Sequence, residues 1–219
     1  EQKFSYGGQQ QERESKSEVL GVIVDEKGTV VTALSSVDQN ILFQKMNAGR
    51  EDDSFQSRVK DMKYILADNS EVPATIVLRD VDLDIAVLQP TEDVEDTMTF
   101  VDISAETEPR ILDEIFSVGR LGKIGRREVL GLTGEIQSIV ERPREFYVTS
   151  GEIVSPGSGV PVFNDGGQLI GMAALRVLPG GRETAQMQDQ MFLPIIVPTI
   201  DIREVVEQVP ADEAGADEE

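Results

Sequence analysis

Histidine, cysteine and tryptophan are all missing from the 219 residues of this chain. Without histidine there is no side chain whose ordinary pKa lies near neutrality, and so no imidazole base. Without cysteine there are no disulfides, thiolate ligands or thiol nucleophiles, and the compartment stays undecided because many exported bacterial proteins also lack cysteine. Aromatic residues make up only 5%. The core must therefore come from Val, Ile and Leu, which favours β-strands.

Long apolar runs and positive charge are also scarce. No run approaches the roughly 20 residues of a membrane-spanning helix, so we expect no membrane insertion by these residues. The chain opens with Glu1 instead of Met. We expect a trimmed signal or anchor and an extracytoplasmic, periplasmic location. Forty-one acidic against 20 basic residues give a net charge of −21, which repels phosphates and predicts no nucleic-acid partner.

Short β-branched runs separated by turn residues dominate the first half. Residues 36–58 are less regular, with Ile41, Leu42 and Met46 near helical spacing, and predict a short helix followed by an exposed loop. The predicted strands are Val19–Val24, Thr29–Ala33, Lys63–Leu66, Glu71–Arg79 and Ile85–Gln89. They predict a small closed barrel.

A second strand-rich half follows an acidic connection. The predicted strands are Ile115–Val118, Glu128–Ile139, Glu145–Thr149, Gly159–Phe163, Gln168–Ala174 and Gln190–Ile196, with an amphipathic helix over Thr199–Val209. The organisation that we expect is an arm at 1–18, a first barrel at 19–91, a linker at 92–110, a second barrel with its closing helix at 111–209, and an acidic tail at 210–219.

Several segments in order resemble a known family between residues 19 and 209. Residues 21–35 match the family's first hairpin, and residues 64–88 match its strand pair with an Asp-Leu-Ala-Val-Leu motif. Residues 116–122 and 132–139 match the opening of its second barrel, and residues 149–161 match the segment of its nucleophile. Residues 163–171 match the following hairpin, and residues 193–198 match the closing strand. The chain is identified on these segments as similar to the HtrA (Deg) branch of trypsin-like serine proteases. No PDZ segment follows the match.

The resemblance implies an all-β fold, a trypsin-like double β-barrel of two six-stranded barrels with a C-terminal helix. It also assigns the triad positions: Ser35 stands where the family has its histidine, Asp84 at the aspartate and Ser158 at the nucleophile. Pro156 falls where the family uses a glycine N–H as an oxyanion donor, and a shift of one residue would put Gly157 there instead.

These positions predict an inactive site. A serine hydroxyl cannot replace the imidazole base, and proline has no N–H to donate. Each residue also has a structural interpretation: Asp84 as an internal acid held by backbone N–H groups, Ser158 as a turn residue, Ser35 as a small polar filler. Lys123 or Lys63 could serve as the base of a Ser-Lys site, although nothing in the spacing selects either.

Metal and cofactor sites are not expected. The acidic clusters, at residues 51–53, 92–93, 95–96 and 80/82/84, do not follow the spacing of a calcium-binding loop and are interpreted as surface charge.

Three functions remain open. The first is a catalytically inactive pseudoprotease that binds a protein or an extended peptide. The second is a serine endopeptidase with a non-standard site on Ser158, and the third is a structural or assembly domain. Relatives in the resembled family commonly form trimers through N-terminal aromatic residues, and Phe4 and Tyr6 are the only hint of this here. An oligomer is possible on that ground.

Overall fold

The computed structural model describes residues 2–6, 9–46, 55–94, 97–150, 152–177 and 192–210. The side chains of residues 2–11, 42, 45–46, 177 and 192 are not described. Its strands are β1 Gln2–Tyr6, β2 Gln9–Arg13, β3 Val22–Ile23, β4 Val30–Ala33, β5 Phe55–Ser57, β6 Lys63–Ile65, β7 Glu71–Asp80, β8 Ile85–Pro90, β9 Glu114–Arg120, β10 Val129–Val140, β11 Phe146–Thr149, β12 Pro161–Phe163, β13 Leu169–Val177 and β14 Phe192–Pro198. Its helices are α1 Leu34–Val37, α2 Gln39–Met46 and α3 Thr199–Glu207.

The first half is an antiparallel five-stranded sheet in the order β3-β4-β8-β7-β6. The sequence predicted a closed barrel of six strands, whereas this sheet is open among the described residues. The predicted strand Val19–Val24 pairs over only two residues, β3, which leaves little edge for closure. Leu34, Val37 and Ile41 from the helical segment pack on the apolar side of the sheet instead.

The N-terminal segment forms a hairpin of β1 and β2, and β1 also pairs with β5. Residues 55–57 were expected in a loop, so that part of the prediction is wrong. The amide of Asn40 in α2 anchors β5 like a neighbouring strand: its Nδ2 donates to the Ser57 carbonyl and its Oδ1 accepts from the Ser57 N–H, both at 2.7 Å. Leu42 and Met46 lie in α2 as predicted, with their side chains outside the described part.

The second half is a closed barrel in the order β10-β11-β14-β13-β12-β9. Its interior holds Ile115, Ile136, Val162, Ile170 and Ile196, each at most 1% exposed. Alternation along the strands explains this, because successive side chains point to opposite faces of a strand. The all-β prediction of a trypsin-like double barrel with a C-terminal helix is confirmed as a closed six-stranded barrel, a half-barrel sheet and α3.

A shared core joins the halves and positions the site. Val31 and Val87 of the first sheet pack in one cluster with Met172 of the barrel and with Ile202 and Val205 of α3. Residues 92–94 and 97–110 contain no helix or strand and run along the first sheet, where the Val101 N–H donates to the Ile23 carbonyl at 2.8 Å. None of the helices in the described ranges is long and apolar enough to cross a membrane.

Candidate functional site

Ser35 and Asp84 meet at the junction between the halves. The Ser35 N–H donates to Asp84 Oδ1 at 2.8 Å, and the Ser35 hydroxyl donates to Oδ2 at 2.7 Å. Asp84 is 5% exposed. Both oxygens of a buried carboxylate are thereby hydrogen-bonded, as a buried charge requires.

The local backbone fixes this pair. Asp84 ends the turn before β8 with φ of 61°, a left-handed conformation that Asp tolerates better than most residues. Its carbonyl accepts the Leu34 N–H at 2.8 Å, at the start of α1. Ser35 is the second residue of α1, so a single turn of helix carries it to the carboxylate.

Ser158 lies on a loop of the second half that is held close to the first. A β-carbon at the following residue, Gly159, would lie 2.5 Å from the Leu20 carbonyl oxygen and 2.7 Å from Thr32 Oγ1. The Gly159 φ of 96° also suits glycine alone. Gly159 therefore permits an approach that brings Ser158, which is partly buried, beside the strand leading to Ser35.

The two residues that the resemblance assigned as oxyanion donors lie in the loop before Ser158. Pro156 has no N–H, and its ring packs against β9, where a β-carbon at Gly119 would lie 2.8 Å from Pro156 Cβ. The N–H of Gly157, the alternative donor, is given to the Val154 carbonyl at 2.9 Å in a tight turn. Neither residue therefore presents a free N–H toward Ser158 in this conformation.

The two lysines that the sequence offered as alternative bases lie in ion pairs elsewhere. Lys63 donates to Glu71 at 2.8 Å, and this hydrogen bond raises the lysine pKa. Lys123 lies 3.6 Å from Glu18 and is 73% exposed. A lysine base needs a lowered pKa, which burial provides and an acidic partner opposes.

A cleft lies between the halves beside Asp84. Its first-half side is the turn 82–84, and its second-half side combines apolar floor residues with two arginines. The Arg176 guanidinium lies over the Phe146 ring, 4.6 Å from its centroid, in a cation–π contact. The lining residues are Asp82, Leu83, Asp84, Arg144, Glu145, Phe146, Ala174, Leu175, Arg176, Ile195 and Val197.

Burial also acts on two groups next to the residues that line the cleft. It raises the pKa of Asp201 in α3, while the positive charge of Arg144 acts in the opposite direction. Burial also raises the pKa of Tyr147, whose hydroxyl donates to Glu145 at 2.9 Å. Sequence reasoning missed Arg144, Phe146 and Arg176, because no motif or spacing links them. The one available signal was their position in or next to predicted strands.

Metal ligation gains no support from the described residues, in which no three acidic side chains converge. The acidic residues 51–53 and 95–96 lie outside that part of the chain.

An all-β molecule with Ser35, Asp84 and Ser158 carried to the junction of its halves has the architecture of a trypsin-like protease domain. The model of the trypsin-like peptidase domain family matches residues 20–172. The chain belongs to this family.

Solved structures support the same fold. The protease domain of MamO from Magnetospirillum magneticum, in its apo form, is 17% identical with a TM-score of 0.55, over 84% of this chain and 85% of that one. A serine endoprotease from Yersinia pestis is 20% identical with a TM-score of 0.57, over 86% of this chain and 56% of that one. No curated protein sequence matches significantly. The predicted HtrA-like, trypsin-like protease domain is confirmed at the level of the fold.

Proposed function

We propose that this is a catalytically inactive, HtrA-like domain that binds a protein or an extended peptide. The observation that carries the proposal is the Ser35–Asp84 hydrogen bond in a chain without histidine. Asp84 is satisfied by a hydroxyl that has no useful basicity at neutral pH, so no group takes the proton of Ser158. Losing general-base assistance slows acyl transfer by about 10²–10⁴-fold.

The oxyanion loop supports inactivity independently. A working hole aims backbone N–H groups at the negative oxygen of the tetrahedral intermediate. Here one position is Pro156, and the Gly157 N–H already bonds to Val154. Losing one such donor costs about 3–4 kcal/mol of transition-state stabilisation. The two defects lie on different elements, so correcting one leaves the other.

An open strand edge supports peptide binding. The Ala173 N–H donates to the Val160 carbonyl and the Ala173 carbonyl accepts the Gly159 N–H, both at 2.8 Å. In an antiparallel strand alternate residues direct these groups to the same edge, so Leu175 faces that edge too. No described strand pairs there beyond Val160. An extended peptide would add a strand at this edge.

The cleft offers side-chain recognition beside that edge. Phe146 and Arg176 form a flat, partly apolar surface, and Arg144 adds a second positive charge. Ala174, Ile195 and Val197 supply its apolar floor. Specificity in strand addition comes from such side-chain contacts, while the backbone supplies affinity.

The first experiment combines fluorophosphonate labelling and casein degradation with a Ser158→Ala control. We expect no labelling that depends on Ser158 and no degradation. The same protein is then applied to a peptide array, with Leu175→Pro to remove the edge N–H and Leu175→Ala to control for the side chain. We expect the wild type and Leu175→Ala to capture peptides and Leu175→Pro to lose capture. A urea unfolding curve of Leu175→Pro checks that this variant is folded under the conditions of the array.

Two rival functions predict different results. Ser158-dependent labelling would establish an endopeptidase with a base that has not been identified. Concentration-dependent oligomers with no retained peptide would favour a structural or assembly domain. Either result would overturn the proposal.

We also propose an extracytoplasmic location and no nucleic-acid partner. The resemblance to the HtrA branch supports the first, and the net charge of −21 supports the second. Alkaline phosphatase fused to the full-length gene product would be active if the location is right and inactive if the domain stays in the cytoplasm.

A further inference from the structure

The turn between β9 and β10 concentrates positive charge in a strongly acidic chain. Residues 120–127 read Arg-Leu-Gly-Lys-Ile-Gly-Arg-Arg, four basic residues and no acidic one, and the next acid is Glu128. The turn contains a short 3-10 helix, Lys123–Gly125, followed by Arg126 and Arg127 at φ of 54° and 56°. We name residues 118–131 the basic hairpin.

Apolar side chains accompany these charges and are left in solvent. Ile124 at the tip is completely exposed, and Val129 is 63% exposed. Val118 and Leu121 are 45% and 42% exposed. Single exposed aliphatic residues are ordinary, whereas several on one hairpin with a basic rim are typical of an interaction surface.

Strand register places part of this set on one face. Val129 pairs with Arg120, and Gly131 pairs with Val118. Because paired residues and residues two apart on a strand share a face, all four positions lie on the same outward face of the hairpin. A β-carbon at Gly131 would meet no atom within 4 Å. The face is therefore open where Gly131 contributes no side chain.

A carboxylate already shows how the basic hairpin binds acids. Glu18 accepts from Arg127 Nη2 at 2.7 Å and from Nε at 3.1 Å, a two-point geometry that suits guanidinium and carboxylate. Its Oε1 also lies 3.6 Å from Lys123 Nζ. Lys123 remains 73% exposed, and Arg126 is exposed, so both can receive a further acid.

We propose that the basic hairpin docks an acidic protein segment that also carries an aliphatic side chain. Lys123 and Arg126 receive its carboxylates, and Ile124 with Val129 packs against the aliphatic group. Charge complementarity selects this occupant: the chain as a whole carries a net charge of −21 and repels acidic partners, and this turn is a local concentration of positive charge that orients them. A nucleic acid is disfavoured because a long polyanion would meet the remaining acidic surface.

This surface is separate from the open edge of β13, and the proposal does not depend on peptide binding there. The basic hairpin approaches the Ser158 loop where Gly119 of β9 packs against Pro156. The Leu175→Pro variant distinguishes them: it removes binding at the β13 edge and leaves the basic hairpin intact.

The test is an array of peptides in which Asp/Glu-rich sequences containing Leu are matched with Asn/Gln versions of themselves. We expect the acidic set to be retained at 50 mM NaCl and weakened at 300 mM, since salt screens exposed charges. Affinities of retained peptides are then measured by fluorescence anisotropy.

The double variant Lys123→Glu with Arg126→Glu should weaken these affinities about tenfold or more, and Ile124→Ser should weaken them several-fold. Lys27→Glu, at an exposed lysine in the β3–β4 turn, is a single-reversal control and should have little effect.

Several outcomes would overturn the proposal. They are retention of no acidic peptide, equal retention of the amide versions, or affinities that the hairpin variants leave unchanged. Tighter binding of single-stranded DNA than of the peptides would also overturn it, as would self-association of the wild type that the same variants abolish. Loss of binding in Leu175→Pro would assign the peptides to the β13 edge instead.

Discussion

Asp84 and Ser158 lie on opposite sides of the junction between the halves, and their surroundings differ in kind. The Asp84 side is closed and fully hydrogen-bonded: the carboxylate accepts two bonds from Ser35, and its carbonyl accepts the Leu34 N–H. The Ser158 side is a sequence of tight turns in which backbone N–H groups bond within the loop, as Gly157 does with Val154.

The two sides differ because a stable fold requires hydrogen-bonded buried groups, whereas catalysis requires N–H groups that are free to bind a transition state. A buried carboxylate destabilises the protein unless it is paired, so the Asp84 arrangement is useful without catalysis. The free N–H groups of an oxyanion loop are useful only because they donate hydrogen bonds to the transition state. If the domain is inactive, as proposed, a loop that satisfies its own hydrogen bonds is the more stable one.

The largest expected effect comes from rebuilding both sides together. Ser35→His returns a base beside Asp84, and Pro156→Gly returns an N–H to the loop. We expect fluorophosphonate labelling of Ser158 to rise about 10²–10⁴-fold with the first change, and further with both. The labelling rate of each single variant and of the double variant checks this, with Ser158→Ala added to each as the control.

Two results would contradict this prediction. Wild-type labelling as fast as that of the double variant would mean that the site already has a base. A double variant no faster than Ser35→His would mean that the Pro156 position does not limit the reaction.

Adding one methyl group at Gly159 should disrupt the close approach of the Ser158 loop to the first half. Gly159→Ala places a β-carbon against the Leu20 carbonyl and Thr32, at a φ of 96°. We expect a loss of about 3–5 kcal/mol in the free energy of unfolding from clash and strain together. Gly157→Ala is the matched control, since its φ of 125° is also unfavourable but its β-carbon meets no atom within 4 Å. It should lose about 1–2 kcal/mol. Equal losses in urea unfolding would show that the contact is unimportant.

Removing the carboxylate oxygens of Asp84 should lower the free energy of unfolding. Asp84→Ala leaves the Ser35 N–H and hydroxyl without partners and puts alanine at a left-handed φ, so we expect a loss of about 2–4 kcal/mol. Asp84→Asn keeps one oxygen acceptor and tolerates the same φ, and should lose about half as much. Urea unfolding of both variants checks the order. A negligible loss in Asp84→Ala would show that the pair is not structural.

The sequence predicted some of these features better than others, for physical reasons. The strands of the second barrel were predictable because apolar runs lie between turn residues, as in β12 and β13, which flank the Asn-Asp-Gly-Gly turn at residues 164–167. β5 was missed because Phe-Gln-Ser has no such pattern and is anchored by the Asn40 side chain. Ser35, Asp84 and Ser158 came from ordered motifs. The Gly157–Val154 turn and the Arg176–Phe146 contact depend on distances that no spacing encodes.

The smallest effect concerns the ion pair that attaches Glu18 to the basic hairpin. Its hydrogen bond with Arg127 lowers the pKa of Glu18, so the folded state favours the ionised carboxylate. The stabilisation is therefore present above the pKa of the unfolded chain and is lost as the pH falls through the lowered folded value. Because the pair is exposed, Glu18→Gln should reduce the free energy of unfolding by less than about 1 kcal/mol at pH 7. The difference should be smaller at pH 3 than at pH 7, because the carboxylate takes up protons as the pH falls. Urea midpoints at the two pH values measure this, and an undiminished difference at pH 3 would show that packing of the Glu18 side chain, not its charge, holds the hairpin.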